Sequence, residues 1–441
     1  MKRTTLVFAA LAAFLLAGSQ PAAAANQRYI VRTTGGLGSV LRLCLSANCQ
    51  VQSSLDGNVG QTYLVTSSQN LLSTLLNPVL NLLESLLGIQ SVEPDSVLSI
   101  PVVSLQTTGA GLSDTAPVNY YGTMVWHGYV SQPAAQIINL ATAQASFQVS
   151  GVGIVADIDT GVDTTHPALM PVLLPGYDFT RNQPGASEWL DINGSNGSIS
   201  SNGSQDAQPV FVQQSTAAVL DQSTAAVLDG GPYSDFGHGT MTAGLIHLAA
   251  PTAKILPLKA FSANGQGNLS NIIAALYYAA QNQANVVNMS FDVTSPSPAL
   301  AAAIKYANQS GVILVASAGN ENTSASVYPA ALNPYVVGIA STSDADVKSS
   351  FSNYGPADVW IAAPGENVMS TYPGGTYATS SGTSFSCPLV TGTVALLLDA
   401  RGGVNQSKAS AALAHARPLT SNLNHGRLDV YQAVLNWLSS R

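Results

Sequence analysis

Five runs of this chain, VGIVADIDT (152–160), AKILPLKAF (253–261), NVVNMSF (285–291), GVILVASAG (311–319) and YVVGIAST (335–342), are almost continuously apolar and rich in β-branched residues. Helical patterns fall between or after them, near 239–249, 268–283, 297–309, 387–401 and 428–438. A strand that is apolar throughout must be covered on both faces, and strands separated by helices are joined by crossovers rather than hairpins. The long C-terminal part is therefore expected to be α/β, a mainly parallel central sheet between two layers of helices.

The N-terminal part reads differently. Lys2-Arg3, an apolar run from Leu6 to Ala17 and the small-residue stretch PAAAAN have the layout of an export signal, with cleavage expected after Ala25. The run is shorter than the roughly 20 residues that span a bilayer, so no permanent membrane anchor is expected. QRYIVRT reads as a strand, the Leu-rich stretch 71–87 as an amphipathic helix, and IQSVEPDSVLSI as a strand with an extended tail. They make a compact α+β unit from residue 26 to about 105, and QTTGAGLSDTAP follows as a linker.

Residues 193–208 (NGSNGSISSNGSQDAQ) are low in complexity and are expected to form a surface loop; QSTAAVLD follows at 214–221 and again at 222–229. Two short copies are too few for a solenoid, and a duplication tolerated in a loop explains them better.

Composition narrows the partners. From Thr115 onward there are 18 acidic against 10 basic residues, while residues 1–114 carry five of each, so the whole net charge of −8 lies in the C-terminal part. A moderately acidic body with no basic run speaks against nucleic acid or an anionic membrane surface. Three cysteines in an exported chain give no disulfide framework. Cys44 and Cys49 are close enough to close a small ring or to remain two packed thiols, and Cys387 reads as a small buried hydrophobe.

TSSGTSFSCPLVTG (379–392) holds Ser380, Ser381, Ser384 and Ser386 ahead of a helix. A serine hydroxyl becomes a nucleophile only beside a base whose tautomer is held by a third group. In a parallel sheet such groups belong beyond the carboxyl ends of strands. Asp159 sits at such an end, followed by Thr160-Gly161 for a sharp exit; His238 starts a helix in DFGHGTMTAGLI, between glycines read as leaving the ring room for a substrate; Ser384 stands at the N-terminus of a long apolar helix, where free N–H groups point at developing negative charge.

In these residues, DIDTGVD, GHGT and GTSFSCP, the chain closely resembles the subtilisin-like serine proteases, whose triad runs Asp, His, Ser. The family pattern Gly-Thr-Ser-x-Ala-x-Pro is kept at Gly382, Thr383, Ser384 and Pro388, with Ser386 in place of Ala. The resemblance implies that Ser384 is the nucleophile, His238 the general base and then acid, and Asp159 the orienting carboxylate, the other serines being structural. VASAGNEN brings Asn320 to another strand end, where the family has a side-chain oxyanion donor that would act with the Ser384 N–H.

What the resemblance implies for the whole chain is a signal at 1–25, an inhibitor-like propeptide at 26–110 and a three-layer subtilisin-like peptidase domain at 120–441. Such a chain is a secreted, self-processing serine endopeptidase zymogen, a monomer acting on polypeptides and inhibited by its own propeptide. No cofactor is expected for the chemistry. Calcium commonly stabilises the family, but no spacing of acids here reads as a site.

For substrate binding the expected residues are Ser290, Phe291, Asp292, Ser317, Ala318 and Gly319. Where the family has Leu-Gly-Gly after Asn-Met-Ser, this chain has Phe291, Asp292 and Val293. The expectation is that Phe291 adds apolar surface, while Asp292 either turns its carboxylate into the cleft and favours a basic residue or points to solvent and only constricts the entrance, the solvent-facing reading being preferred because a carboxylate buried without a partner is costly. That favours small or medium apolar residues before the scissile bond, with secondary tolerance of Lys or Arg. His166 and His247 are expected to be structural, and Asp157 a supporting residue. An esterase of the α/β-hydrolase type would need Gly-x-Ser-x-Gly and the order Ser, Asp, His, which the chain lacks. A binding protein on an inactivated protease scaffold would lack at least one catalytic group, and none is missing.

Overall fold

A computed structural model describes residues 26–75, 87–100, 105–106, 111–193 and 233–440. Residues 1–25, read from the sequence as an export signal, most of the Leu-rich stretch, residues 194–208 and both octapeptide copies lie outside the described residues. The chain divides into two compact units, Leu55–Val59 and everything from Asp95 onward belonging to the second.

In the first unit, four antiparallel strands, β1 (Gln27–Thr33), β2 (Cys49–Ser54), β3 (Thr62–Ser67) and β4 (Ile89–Pro94), run in the order β2-β3-β1-β4. Helix α1 (Gly36–Ala47) buries Val40, Leu43, Cys44 and Ala47 in one core with Tyr29, Val31, Tyr63 and Val65. Asn48 ends the helix in the left-handed conformation, and Cys44 and Cys49 form a disulfide across that turn.

The second unit carries short strands β5 (Val97–Ser99) and β6 (Leu105–Gln106), then β7 (Ile154–Asp159), β8 (Tyr177–Asp178), β9 (Gln183–Pro184), α2 (His238–Ala249), β10 (Lys254–Lys259), β11 (Gln266–Asn268), α3 (Leu269–Gln281), β12 (Val286–Met289), α4 (Pro298–Gln309), β13 (Ile313–Ser317), β14 (Val336–Thr342), β15 (Ile361–Pro364), β16 (Val368–Tyr372), β17 (Thr376–Ser380), α5 (Thr383–Ala400) and α6 (Val430–Ser439). Eight strands form one sheet in the order β9-β8-β10-β7-β12-β13-β14-β15, parallel except for the edge strand β9. The five strands expected from the apolar runs are all present, while β6, β8, β9, β11 and β15 to β17 are additional.

Strand order explains the layers. The chain steps from β7 to β10 in one direction and then back across β7 to β12, and right-handed crossovers put the helices of opposite steps on opposite faces. Helix α2 thus lies on one face, where it packs against α5, and α3 and α4 pack together on the other. The switch of direction opens a crevice at the carboxyl end of β7, the end that carries Asp159. Helix α5 is buried from Thr383 to Leu397. It is long and apolar enough to cross a membrane by composition, but here it is the central core helix.

Candidate active site

Asp159 closes β7, and its Oδ1 accepts the Thr160 N–H at 2.7 Å and faces His238 Nδ1 at 2.7 Å. This fixes the imidazole tautomer with the proton on Nδ1 when the ring is neutral, leaving Nε2 free. Nε2 is buried and has no hydrogen-bond partner. Burial alone would lower the His238 pKa, but the Asp159 charge and hydrogen bond, with Asp235 and Asp157 behind them, outweigh it and bring it up to about 9.

The glycines around His238 serve packing rather than substrate access. Gly237 turns the chain into α2 at φ 91°, and a Cβ there would lie 2.4 Å from the Tyr372 ring. A Cβ on Gly239 would lie 2.0 Å from the Gly161 carbonyl oxygen, so only glycine lets α2 approach the exit of β7 this closely.

A residue that no motif flags holds the two elements together. Glu188 is fully buried, and its Oε1 accepts from the Thr160 hydroxyl and, at 3.1 Å, from the Gly239 N–H. Its Oε2 accepts from Thr240 Oγ1 at 2.6 Å. One carboxylate thus ties the residue after Asp159 to the two residues after His238, at a helix N-terminus that favours negative charge. Burial pushes Glu188 up to about 7 even so. On the other side of Thr160, buried Lys259 donates to its carbonyl at 2.5 Å, and to Asp191 and the Phe261 carbonyl at 2.7 Å each.

Ser384 is the second residue of α5. Its hydroxyl donates to the Ser290 carbonyl at 3.1 Å and makes no hydrogen bond to His238 Nε2, the imidazole ring lying 5.4 Å from that of the adjacent Phe385. Pro388, four residues on, has no N–H to give the Ser384 carbonyl. Ser290 Oγ donates to that carbonyl instead, at 2.9 Å. The two residues therefore hold each other, hydroxyl to carbonyl, in both directions. The neighbouring serines are structural: Ser386 donates to the Ala363 carbonyl at 2.9 Å, and Ser381 Oγ accepts the Asn367 N–H at 2.9 Å.

Asn320 follows β13. Its Oδ1 accepts from both the N–H and the hydroxyl of Thr383 at 2.9 Å, which fixes the amide, while Nδ2 is buried without an acceptor. Two orphaned polar nitrogens, His238 Nε2 and Asn320 Nδ2, thus belong to residues tied by contact to the first turn of α5.

Beneath lies a buried polar web. Asn288 Nδ2 donates to Asp157 Oδ1 at 2.8 Å and to Ser290 Oγ at 2.9 Å, Thr242 Oγ1 reaches Asp157 Oδ2 at 2.8 Å, and Thr391 Oγ1 donates to Asn288 Oδ1 at 2.9 Å. Burial first and the Asp159 charge second push Asp157 up to about 8. His166 bonds the Thr376 carbonyl at 2.9 Å, and His247 is buried beside Tyr120.

Two expectations about the substrate-binding residues change. Phe291 is 1% exposed and packs against Phe261 with ring centroids 5.2 Å apart and planes tilted by 48°, so its side chain belongs to the core and adds no open apolar surface. Asp292 does not face solvent: it is 8% exposed, and its Oδ2 is buried with no partner. Ser317 and Ala318 are buried, Ser317 Oγ donating to the Phe291 carbonyl at 3.3 Å and Ala318 packing with Ala340 and Ala362. Among the described residues no group of three or more His, Cys, Asp or Glu is gathered to hold a metal ion.

Residues 151–431 match the model of the subtilase family. Thermitase of Thermoactinomyces vulgaris is 32% identical over 294 residues, covering 64% of this chain and 88% of thermitase. The thermophilic serine proteinase of Bacillus sp. (strain AK1) is 32% identical over 286 residues, 64% of this chain and 61% of that protein. Subtilisin BL of Lederbergia lenta is 41% identical over 171 residues, 36% of this chain and 62% of its own length. The match thus spans less than two thirds of two of these relatives. Among solved structures, a cold-adapted subtilisin-like serine proteinase superposes with a TM-score of 0.50 at 29% identity, over 64% of this chain and 89% of that one.

Proposed function

This chain belongs to the subtilase family, and from that premise we propose that it is a secreted serine endopeptidase made as a precursor that removes its own N-terminal segment. The observation that carries the activity is His238, with Nδ1 held by Asp159 and Nε2 buried and unpartnered. A rotation of the Ser384 side chain from the Ser290 carbonyl towards Nε2 makes the serine–base bond. Ser384 Oγ then attacks the peptide carbonyl as Nε2 takes its proton, and the imidazolium returns that proton to the leaving amine; water repeats the sequence on the acyl-enzyme. The Asn320 Nδ2 and the Ser384 N–H bind the oxyanion.

Export is supported by Lys2-Arg3, the apolar run and the PAAAAN stretch. Self-processing is supported by two strands at the start of the second unit: β5 runs antiparallel to β11, and β6 runs antiparallel to β17, whose last residue, Ser380, precedes Ser384 by four positions. The cut falls between residues 100 and 125, and residues 26 to about 105 are the inhibitory segment.

A serine-reactive phosphonate should label the wild-type protein and abolish cleavage of unfolded protein substrates. Ser384→Ala should take no label and accumulate as an exported chain still carrying residues 26 to about 105. A wild-type protein that neither labels nor cleaves overturns the endopeptidase; normal maturation of Ser384→Ala in a host without other proteases overturns self-processing.

A further inference from the structure

The hydrogen bonds of Glu188, buried beside the His238–Asp159 pair, form a closed set. Oε1 accepts from the Thr160 hydroxyl and from the Gly239 N–H, and Oε2 accepts from the Thr240 hydroxyl. Each hydroxyl oxygen in turn accepts a backbone N–H: Thr160 Oγ1 takes that of Gly239 at 2.9 Å, and Thr240 Oγ1 that of Asp163 at 2.8 Å. Both hydroxyl protons are therefore committed to the carboxylate, and the set closes only while both carboxylate oxygens accept. A proton on either one meets a hydroxyl that is already donating, and one of the two must turn away.

What this set joins is the two backbone segments that carry the base and its carboxylate. Thr160 follows Asp159, whose Oδ1 meets both the Thr160 N–H and His238 Nδ1 at 2.7 Å, and Gly239 and Thr240 follow His238. Lys259 holds Thr160 from its other side, through the carbonyl. Charged and titratable groups face Glu188 from three strands, Asp159 on β7, Lys259 on β10 and Tyr372 on β16; from α2 its partners are the uncharged Gly239 and Thr240, next to His238. Burial outweighs Lys259 and both threonine bonds and brings Glu188 up to about 7. The ionised acid therefore costs stability, and an uncharged side chain of the same shape would fill the space at less cost. Stability does not account for an acid here, whereas the alignment of His238 does.

We infer that Glu188, as a carboxylate, is a positioning residue of the proposed peptidase: acting through Thr160, Gly239 and Thr240, it holds the His238 imidazole against Asp159 in the position from which Nε2 accepts the Ser384 proton. The inference rests on the endopeptidase reading. It makes Glu188 act on kcat and not on KM, because the segments it joins carry the groups that move the proton and not those that bind the peptide. It also gives one proton opposite effects on folding and turnover. Losing it weakens the folded state and aligns the base.

The test is steady-state kinetics across pH on a peptide that wild type cleaves, with mature wild type, Glu188→Gln and Thr240→Val each normalised by phosphonate titration and checked for an intact fold by circular dichroism. Glutamine keeps the shape of Glu188 but turns a donor where a hydroxyl or the Gly239 N–H needs an acceptor. On the alkaline plateau, above the His238 pKa of about 9, kcat of Glu188→Gln should be about tenfold lower with KM within about twofold. The ratio of wild type to Glu188→Gln should shrink towards one below about pH 6, where wild type carries the extra proton too. A ratio that stays flat across pH, or a loss confined to KM, overturns the inference and leaves the endopeptidase standing. Thr240→Val removes the donor to Oε2 and keeps the acid, so it carries the test if Glu188→Gln does not fold: a kcat several-fold lower at unchanged KM supports the inference, and an unchanged kcat overturns it. A wild type that neither titrates nor cleaves any peptide overturns both readings.

Discussion

A single hydroxyl joins the carboxylates of Asp157 and Asp159: Thr242 Oγ1 lies 2.8 Å from Asp157 Oδ2 and 3.4 Å from Asp159 Oδ2. Two acids this close do not both ionise readily. Burial first and the Asp159 charge second raise Asp157 to about 8, so Asp157 keeps its proton at neutral pH.

That relationship predicts a pH profile. Above about pH 8 Asp157 ionises, and its charge joins those that raise the His238 pKa towards about 9, holding the base protonated and idle. Asp157→Asn removes that charge while keeping the shape, so the rise of kcat/KM with pH should move to lower pH. At pH 7 it should cost less than about tenfold, the worth of one adjusted hydrogen bond. An unmoved profile would show that Asp157 does not communicate with His238.

Glu188 should report itself in stability. Its folded pKa of about 7 lies above the ordinary 4.5, so the folded state prefers the protonated acid and loses stability as pH rises from about 4.5 through about 7. Glu188→Gln mimics the protonated form and should be insensitive to pH over that window. Relative to the variant, wild type should weaken by an amount on the order of 3 kcal/mol across it. Parallel urea midpoints at pH 5 and pH 7.5 measure this, and equal slopes for both proteins would refute it.

Asn320→Ala removes the unpartnered Nδ2 and the acceptor of the Thr383 N–H and hydroxyl. If Nδ2 binds the oxyanion, kcat should fall on the order of 10²–10³ with KM little changed. A loss confined to KM would assign Asn320 to substrate binding alone.

The residues legible in the sequence are those whose role is set by their own segment. Asp159, His238 and Ser384 each mark the junction of a strand or helix with its turn, and β12 and β13 lie within the apolar runs, each ending two residues before its run does. Glu188 was invisible, because GASEWLD has no periodicity and its acid gains meaning only from Thr160 and Thr240. The direction of Asp292 was unreadable for a related reason: its neighbours Gly319 and Glu321 come from another strand end, and local desolvation cost argued for the opposite rotamer. Strands β15 to β17 were missed because they are short runs carrying Pro, Ser, Thr and Tyr.

Pro388 and Ser290 should be coupled in a way that simple burial does not anticipate. Ser290→Ala alone strips the Ser384 carbonyl of its 2.9 Å donor and should cost about 1–3 kcal/mol, since Pro388 offers no N–H in its place. Pro388→Ala returns a helical N–H aimed at that same carbonyl, so in the Ser290→Ala background it should recover part of the loss. In an otherwise wild-type chain the new N–H instead competes with Ser290 Oγ and pulls the first turn of α5 off its anchor, so kcat should drop several-fold. Chemical unfolding of the four proteins, all built on Ser384→Ala to prevent autolysis, should give an interaction free energy of at least about 0.5 kcal/mol. Strict additivity would mean that the Ser384 carbonyl is satisfied some other way, and that Pro388 is in the helix for packing alone.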